Sequence, residues 1–165
     1  MKKILYILLI TCFSFTVISC KGSTSSTTTD TTAPTVSSIS PTDNQSGVSI
    51  SANISVTFSE AMDTTSVTTN TSNTSCSGSF QLSSDNFSSC VQMSSSPLSS
   101  NSDKTFSIDP SDNLSYSTTY KIRVTTGVKD IARNTLSSQY ETSSGFTTTG
   151  IFVATGGSGT ILTSL

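Results

Sequence analysis

Between Val48 and Phe58 every even position is apolar and every odd position is polar. That is the period of a β-strand with one face in a core and the other in water. A run this long predicts a kink near Ala52 and Asn53 that divides it into two strands, with Ile54, Val56 and Phe58 as the core-facing set. The alternation recurs in Phe106-Ser107-Ile108 and in Tyr120-Lys121-Ile122-Arg123-Val124, with shorter versions at Val36 to Ile39, Phe80 to Leu82, Val91 to Met93 and Phe146 to Thr148. Turn-forming Gly, Pro, Asn, Asp and Ser separate these runs, and no long helical period appears. About seven short strands in ~110 residues predict an all-β, two-sheet sandwich over residues 34–149.

The amino terminus follows a different pattern. Met1-Lys2-Lys3 is cationic, and Ile4 to Ile18 is an apolar stretch, shorter than the ~20 residues a spanning helix needs, so residues 1–19 read as a signal peptide. Val17-Ile18-Ser19-Cys20-Lys21 resembles the lipobox of bacterial lipoproteins. That resemblance implies cleavage before Cys20 and acyl chains on it; at ~0.8 kcal/mol per buried CH₂, two or three chains anchor stably where one would be marginal. Cys12 leaves with the signal. Residues 20–33 continue as KGSTSSTTTDTTA after the cysteine. Nothing in that stretch can be buried, so it predicts a solvated tether with a random-coil span of ~20 Å.

Composition narrows the chemistry. Among 165 residues there is no His and no Trp, Ser and Thr make up about two-fifths, and only 11% are charged. Without imidazole there is no Ser-His-Asp or Cys-His site and no His-ligated metal, so no catalytic residue, cofactor or metal is expected. Eight Lys and Arg against ten Asp and Glu are too few to neutralise a run of phosphates, which excludes nucleic acid as partner. Removing Lys2 and Lys3 with the signal leaves six basic against ten acidic residues, a net charge of -4.

Several motifs then occur in order. Ala33-Pro34-Thr35-Val36, Asp43 to Val48, and Ile54-Ser55-Val56-Thr57-Phe58-Ser59-Glu60-Ala61-Met62-Asp63 resemble the opening of a bacterial Ig-like domain of the SbsA/Big_5 type. Leu114 to Val124 is similar to that family's penultimate strand, Gly127 to Leu136 to its following turn, and Phe146 to Thr149 to its closing strand. The resemblance covers almost all of residues 33–149 and implies an Ig-like or fibronectin-III-like sandwich. Tyr120 then sits where its ring is buried while its hydroxyl bonds an upstream backbone group, and Asp130 and Asn134 satisfy backbone at a turn. Arg133 stands where the family usually has Gly, so either a positive φ there is strained or the turn differs.

Cys76 and Cys90 enclose 15 residues, ends included. In an exported protein they are expected to pair, with ~3 kcal/mol of loop-closure stabilisation, the alternative being two free thiols. Glu60, Asp63, Asp109, Asp112 and Asp130 fall near strand ends and could offer oxygens to calcium, but without Asp-x-Asp-x-Asp-Gly spacing they read as solvated carboxylates. Lys104, Lys121 and Lys129 coexist with many serines, yet no Ser-x-x-Lys occurs. Residues 150–165 start a new pattern: Phe152-Val153-Ala154 and Thr160-Ile161-Leu162-Thr163 flank a glycine-rich turn, a hairpin that resembles one piece of a BNR/sialidase-like propeller repeat. Sixteen residues cannot make a blade, so the chain is expected either to be truncated or to end in a strand that pairs or frays.

The sequence thus leads to an exported, lipid-anchored, non-enzymatic Ig-like module of the bacterial envelope, at the outer membrane or cell surface. It acts as a spacer or as an adhesion domain for a protein or glycan. The alternative is an accessory domain of a truncated propeller-containing enzyme or carbohydrate-binding protein.

Overall fold

The computed structural model describes residues 28–154 and 161–164; the signal peptide, Cys20 and the first part of the tether lie outside these residues. Strands β1 (Val36–Ser40), β2 (Ile54–Phe58), β5 (Thr105–Ile108) and β4 (Leu98–Ser100) form one antiparallel sheet in the order β1-β2-β5-β4. The second sheet has β3 (Phe80–Ser83) beside β6 (Thr119–Val124), whose other edge carries β7 (Tyr140–Glu141) and then β8 (Phe146–Thr147). Counting β7 and β8 as one interrupted strand, the seven strands have the four-plus-three layout of a constant-type Ig sandwich. No helix occurs among the described residues.

Registry explains the core. Ile54 lies opposite Ile108 and Val56 opposite Phe106 in one sheet, and Phe80 opposite Val124 and Leu82 opposite Ile122 in the other. All eight are at most 1% exposed, because a period of two turns each apolar residue to the same face. Phe58 meets Phe106 edge to face at 6.0 Å, while Tyr120 stacks on Phe146 at 5.8 Å. Each such side chain contributes roughly 1.5–3 kcal/mol of burial.

The structure departs from the sequence pattern at four places. The run from Val48 does not give two full strands: Val48 forms a single parallel bridge to Thr148, a turn closes from Ser49 to Ala52, and only Ile54–Phe58 is a strand. Val91 to Met93 is likewise a single bridge, Met93 with Pro110, since Val91 spends its amide on the carbonyl of Leu82. Two strands were not anticipated. β4 carries one apolar residue, Leu98, which is 74% exposed, and β7 is two residues long, so neither leaves a periodic signal.

The break between β7 and β8 has a local cause. Thr142 takes the place of a ladder partner, its amide donating to the Ile122 carbonyl and its hydroxyl accepting from the Ile122 amide. Gly145 then adopts φ +77° with its α-carbon against the Tyr120 carbonyl, where a Cβ would collide.

Strands β9 (Ile151–Ala154) and β10 (Ile161–Ser164) pair with each other as an antiparallel hairpin, a sheet separate from both layers.

Because Phe106 is fully buried between the sheets, Phe106→Ala is expected to lower the free energy of unfolding by about 3–5 kcal/mol. Ser107→Ala on the opposite face should change it by less than about 0.5 kcal/mol. Urea denaturation of both variants checks the pair.

Candidate functional site

The sandwich has two distinguishable ends. At the proximal end the chain arrives from the tether: the Asn134 side-chain amide donates to the Asp30 carbonyl at 3.2 Å, and the Thr35 amide donates to the Ser59 hydroxyl at 3.0 Å. At the distal end it leaves: the Ser117 amide donates to the Thr149 carbonyl at 2.9 Å. Glu60 follows β2 and Asp130 follows β6, so the proximal end is the one where β6 finishes. Ser117 precedes the start of β6, about 20 Å away along six strand residues.

Three carboxylates meet at the proximal end. Oxygens of Asp30, Glu60 and Asp130 all lie within 4.8 Å of one another, the one such group of three among the described residues. Of the five carboxylates that the sequence offered, only Glu60 and Asp130 come together. Asp63 caps its own turn through the amide and hydroxyl of Thr65, Asp109 accepts from Ser94, and Asp112 accepts from Ser111. Asp30 was not anticipated, because it lies in the tether composition, where nothing marks one carboxylate as special. Calcium takes six to eight oxygens; here each oxygen of fully buried Asp130 accepts one bond, from the Asn134 amide and from its side-chain NH₂, each at 2.8 Å.

Asp130 and Asn134 are thus the two halves of one turn. The Asp130 amide returns to the Asn134 carbonyl at 3.0 Å, and the Arg133 amide donates to the Asp130 carbonyl at 3.1 Å. Arg133 has φ +73°, so of the two readings of this position the strained one holds. Tyr120 is 5% exposed, and its hydroxyl accepts the Ser115 amide at 3.0 Å, which fixes the loop that leads into β6.

Cys76 and Cys90 form a disulfide, with Cα atoms 4.9 Å apart. It holds segments 66–79 and 83–93 along the edge of β3: the Ser79 and Phe80 amides donate to the Thr68 carbonyl, Val91 donates to Leu82, and Cys90 donates to Thr74. Asp85 organises the second segment by accepting from the Ser89 amide and hydroxyl and from the Ser83 hydroxyl. Those bonds, the Ser89 hydroxyl foremost, hold its carboxyl down at about 2. Phe87, at φ +62°, is a bulky residue in left-handed backbone. It is held by its amide bond to the Ser83 hydroxyl and by the Arg123 guanidinium, 3.5 Å from the ring centroid.

Lys121 faces Glu141 at 3.8 Å and Lys104 donates to the Ser59 carbonyl at 3.4 Å, so neither is set beside a serine hydroxyl as a base. At the distal end a cleft of about 440 Å³ is lined by Ser49, Ile50, Asn113 and Tyr116 among others, with no charged group in its wall.

The comparisons with known proteins agree with this geometry. The family described as a bacterial Ig-like domain, Big_5, matches residues 30–148. Among solved structures, domains 1–6 of surface layer protein SbsC superimpose with TM-score 0.50 at 21% identity, over 75% of this chain and 15% of that one. The S-layer protein rSbsC(31-844) gives 0.49 at 22% identity, over 74% of this chain and 14% of that one. At 21% identity the likeness to the first is one of fold, and this chain spans about a seventh of the length of each. Among curated proteins none matches in sequence.

Burial first, then the nearby charges of Asp30 and Asp130, push the Glu60 carboxyl above its ordinary range, with Lys104 partly opposing. A carboxyl with a raised pKa holds its proton more tightly in the folded state. Its ionisation therefore costs stability at neutral pH, and that cost disappears as pH falls back through the window above 4.5. Glu60→Gln should accordingly raise the melting temperature at pH 7 and leave it unchanged at acid pH, where wild-type Glu60 is already protonated; calorimetry at the two pH values measures both arms. Arg133→Gly removes a left-handed non-glycine residue and is expected to add about 1 kcal/mol to the free energy of unfolding, read by urea denaturation.

Proposed function

Because the chain belongs to the bacterial Ig-like domain family, we propose that it is a lipid-anchored, non-enzymatic module of the bacterial envelope. It carries or spaces a recognition surface away from the membrane. One observation carries this reading: the tether arrives at one end of the sandwich and the chain departs at the other, beyond Thr149. A module so threaded adds its own length to whatever it joins, which is what a spacer requires. Cys20 supplies the membrane attachment, and residues 20–33 lift the folded part clear of the headgroups.

The chemistry of the surface supports a binding role over a catalytic one. Acyl transfer needs a nucleophile beside a base, and the sequence has no histidine to act as one. Recognition at such a surface falls to loops and sheet edges. A matrix protein, a wall glycan or another envelope protein are the ligand classes such a surface suits, and exposure at the outer membrane or cell surface follows from the same reading.

A second reading has its own observation: β9 and β10 form a sheet apart from the sandwich and outside the matched residues 30–148. On this reading the sandwich is the accessory module of a propeller-containing enzyme or carbohydrate-binding protein, and coding sequence that continues past Leu165 with further strand pairs of this pattern favours it.

Anchoring is tested by Cys20→Ser. The variant should move from the membrane fraction to a soluble exported pool, and the wild-type amino-terminal peptide should carry the mass of its acyl chains. A variant that stays with the membranes removes the lipid from the proposal.

A further inference from the structure

Residues 43–48 and 143–149 are about a hundred positions apart in sequence, yet they lie side by side and run in the same direction. The Thr147 amide donates to the Gln45 carbonyl at 2.7 Å, the Val48 amide to the Thr147 carbonyl at 3.1 Å, and the Thr149 amide to the Val48 carbonyl at 2.8 Å. This is the slanted ladder of a parallel pair, centred on the Val48–Thr148 bridge. One step earlier the Asn44 amide donates to the Gly145 carbonyl at 2.6 Å. The Asp43 carboxylate then closes the set, accepting from the amides of Ser143, Ser144 and Gly145 and from the Ser143 hydroxyl, at 2.6–3.1 Å. Those four bonds, led by the Ser143 hydroxyl, hold the carboxyl of Asp43 below its ordinary range, and charge-assisted bonds are the stronger kind.

Direction gives these bonds a mechanical meaning. The amino-terminal segment is reached from the proximal end and the carboxyl-terminal segment leaves at the distal end. A pull on the two termini therefore drags parallel neighbours in opposite senses along their common axis. Every bond of the set is then loaded at once in shear. Antiparallel neighbours joined by a turn, such as β4 and β5, are instead opened one bond at a time when pulled from their free ends.

We infer that segments 43–48 and 143–149 form a load-bearing clamp, by which the sandwich resists extension between its tether and whatever follows Thr149. The clamp deepens the spacer reading and rests on it for its use in the cell. Its existence is a property of the purified chain, measurable whether or not Cys20 carries lipid.

The experiment is single-molecule force spectroscopy on residues 21–165, with the Cys76–Cys90 disulfide intact. One series carries handles at the two termini, and a second carries them at Ser102 and Ser138, two exposed positions whose separation does not shear the clamp. Wild type should unfold at a higher force when pulled by its termini than by the second pair. Forced unfolding reports the unfolding barrier, so Asp43→Ala should raise the terminal-pull unfolding rate at fixed force by about tenfold while changing the other direction much less. Asp85→Ala, which removes a comparable loop carboxylate outside the clamp, serves as the control: it should keep the wild-type difference between the two directions and change the unfolding rate by the same factor in both. Equal wild-type forces in both directions overturn the clamp, as does an Asp43→Ala effect of the same size in both. Should Asp43→Ala not fold, the Ser143→Ala variant, which removes the hydroxyl bond alone, takes its place with the same two outcomes.

Discussion

Closure of two apolar faces on each other is the constraint from which the rest of the structure follows. Ile54, Val56, Phe58, Phe106 and Ile108 present one face, and Phe80, Leu82, Tyr120, Ile122, Val124 and Phe146 the other. Neither sheet can expose its face to water, and a shift of register by one residue would turn the whole set outward. Once the faces meet, strand order, the positions of the ends and the separation between them are settled, and the loops have only to connect strands whose places are already decided.

The loops do so with unusual means. A chain in which about two-fifths of the residues are Ser or Thr has many short side chains that can stand in for backbone groups. The Ser66 hydroxyl donates to Asp63 and accepts from Lys129; that of Ser79 donates to Ser66 and accepts from Thr68; that of Thr148 donates to Ser115 and accepts from Thr118. Each ties a loop segment to its neighbour just past the end of a strand ladder. Irregular loops thereby meet the requirement that buried amides and carbonyls be paired, and a polar composition is compatible with a firm fold.

This also marks what sequence could and could not reveal. Alternation identified β2, β5 and β6 and their inward residues, because period two is a direct record of which side faces the core. The cysteine pair was legible as a disulfide once residues 1–19 were read as a signal peptide. Asp43 entered only as part of a motif in the family resemblance, since the residues that supply its partners lie about a hundred positions away and no local pattern records them. The same holds for Asp30, which reaches Glu60 and Asp130 only because tether, β2 and β6 converge at one end. At Arg133 the sequence posed the question of strain, and only a dihedral angle could answer it. β4 and β7 escaped because short edge strands owe their existence to a neighbour's free edge more than to their own side chains.

The disulfide-held segments along β3 have a consequence for life among identical neighbours. β3 is buried on both faces, with Gln81 at 5% and Ser83 at 1% exposure, and along its outer edge the Phe80 amide donates to the Thr68 carbonyl while the Leu82 carbonyl accepts from the Val91 amide. Bare strand edges invite a second chain to add its own strand, and that is how crowded β-proteins fuse into aggregates. With that side of the sheet already capped by its own covalently pinned loops, packing density can rise without the sandwiches polymerising through it.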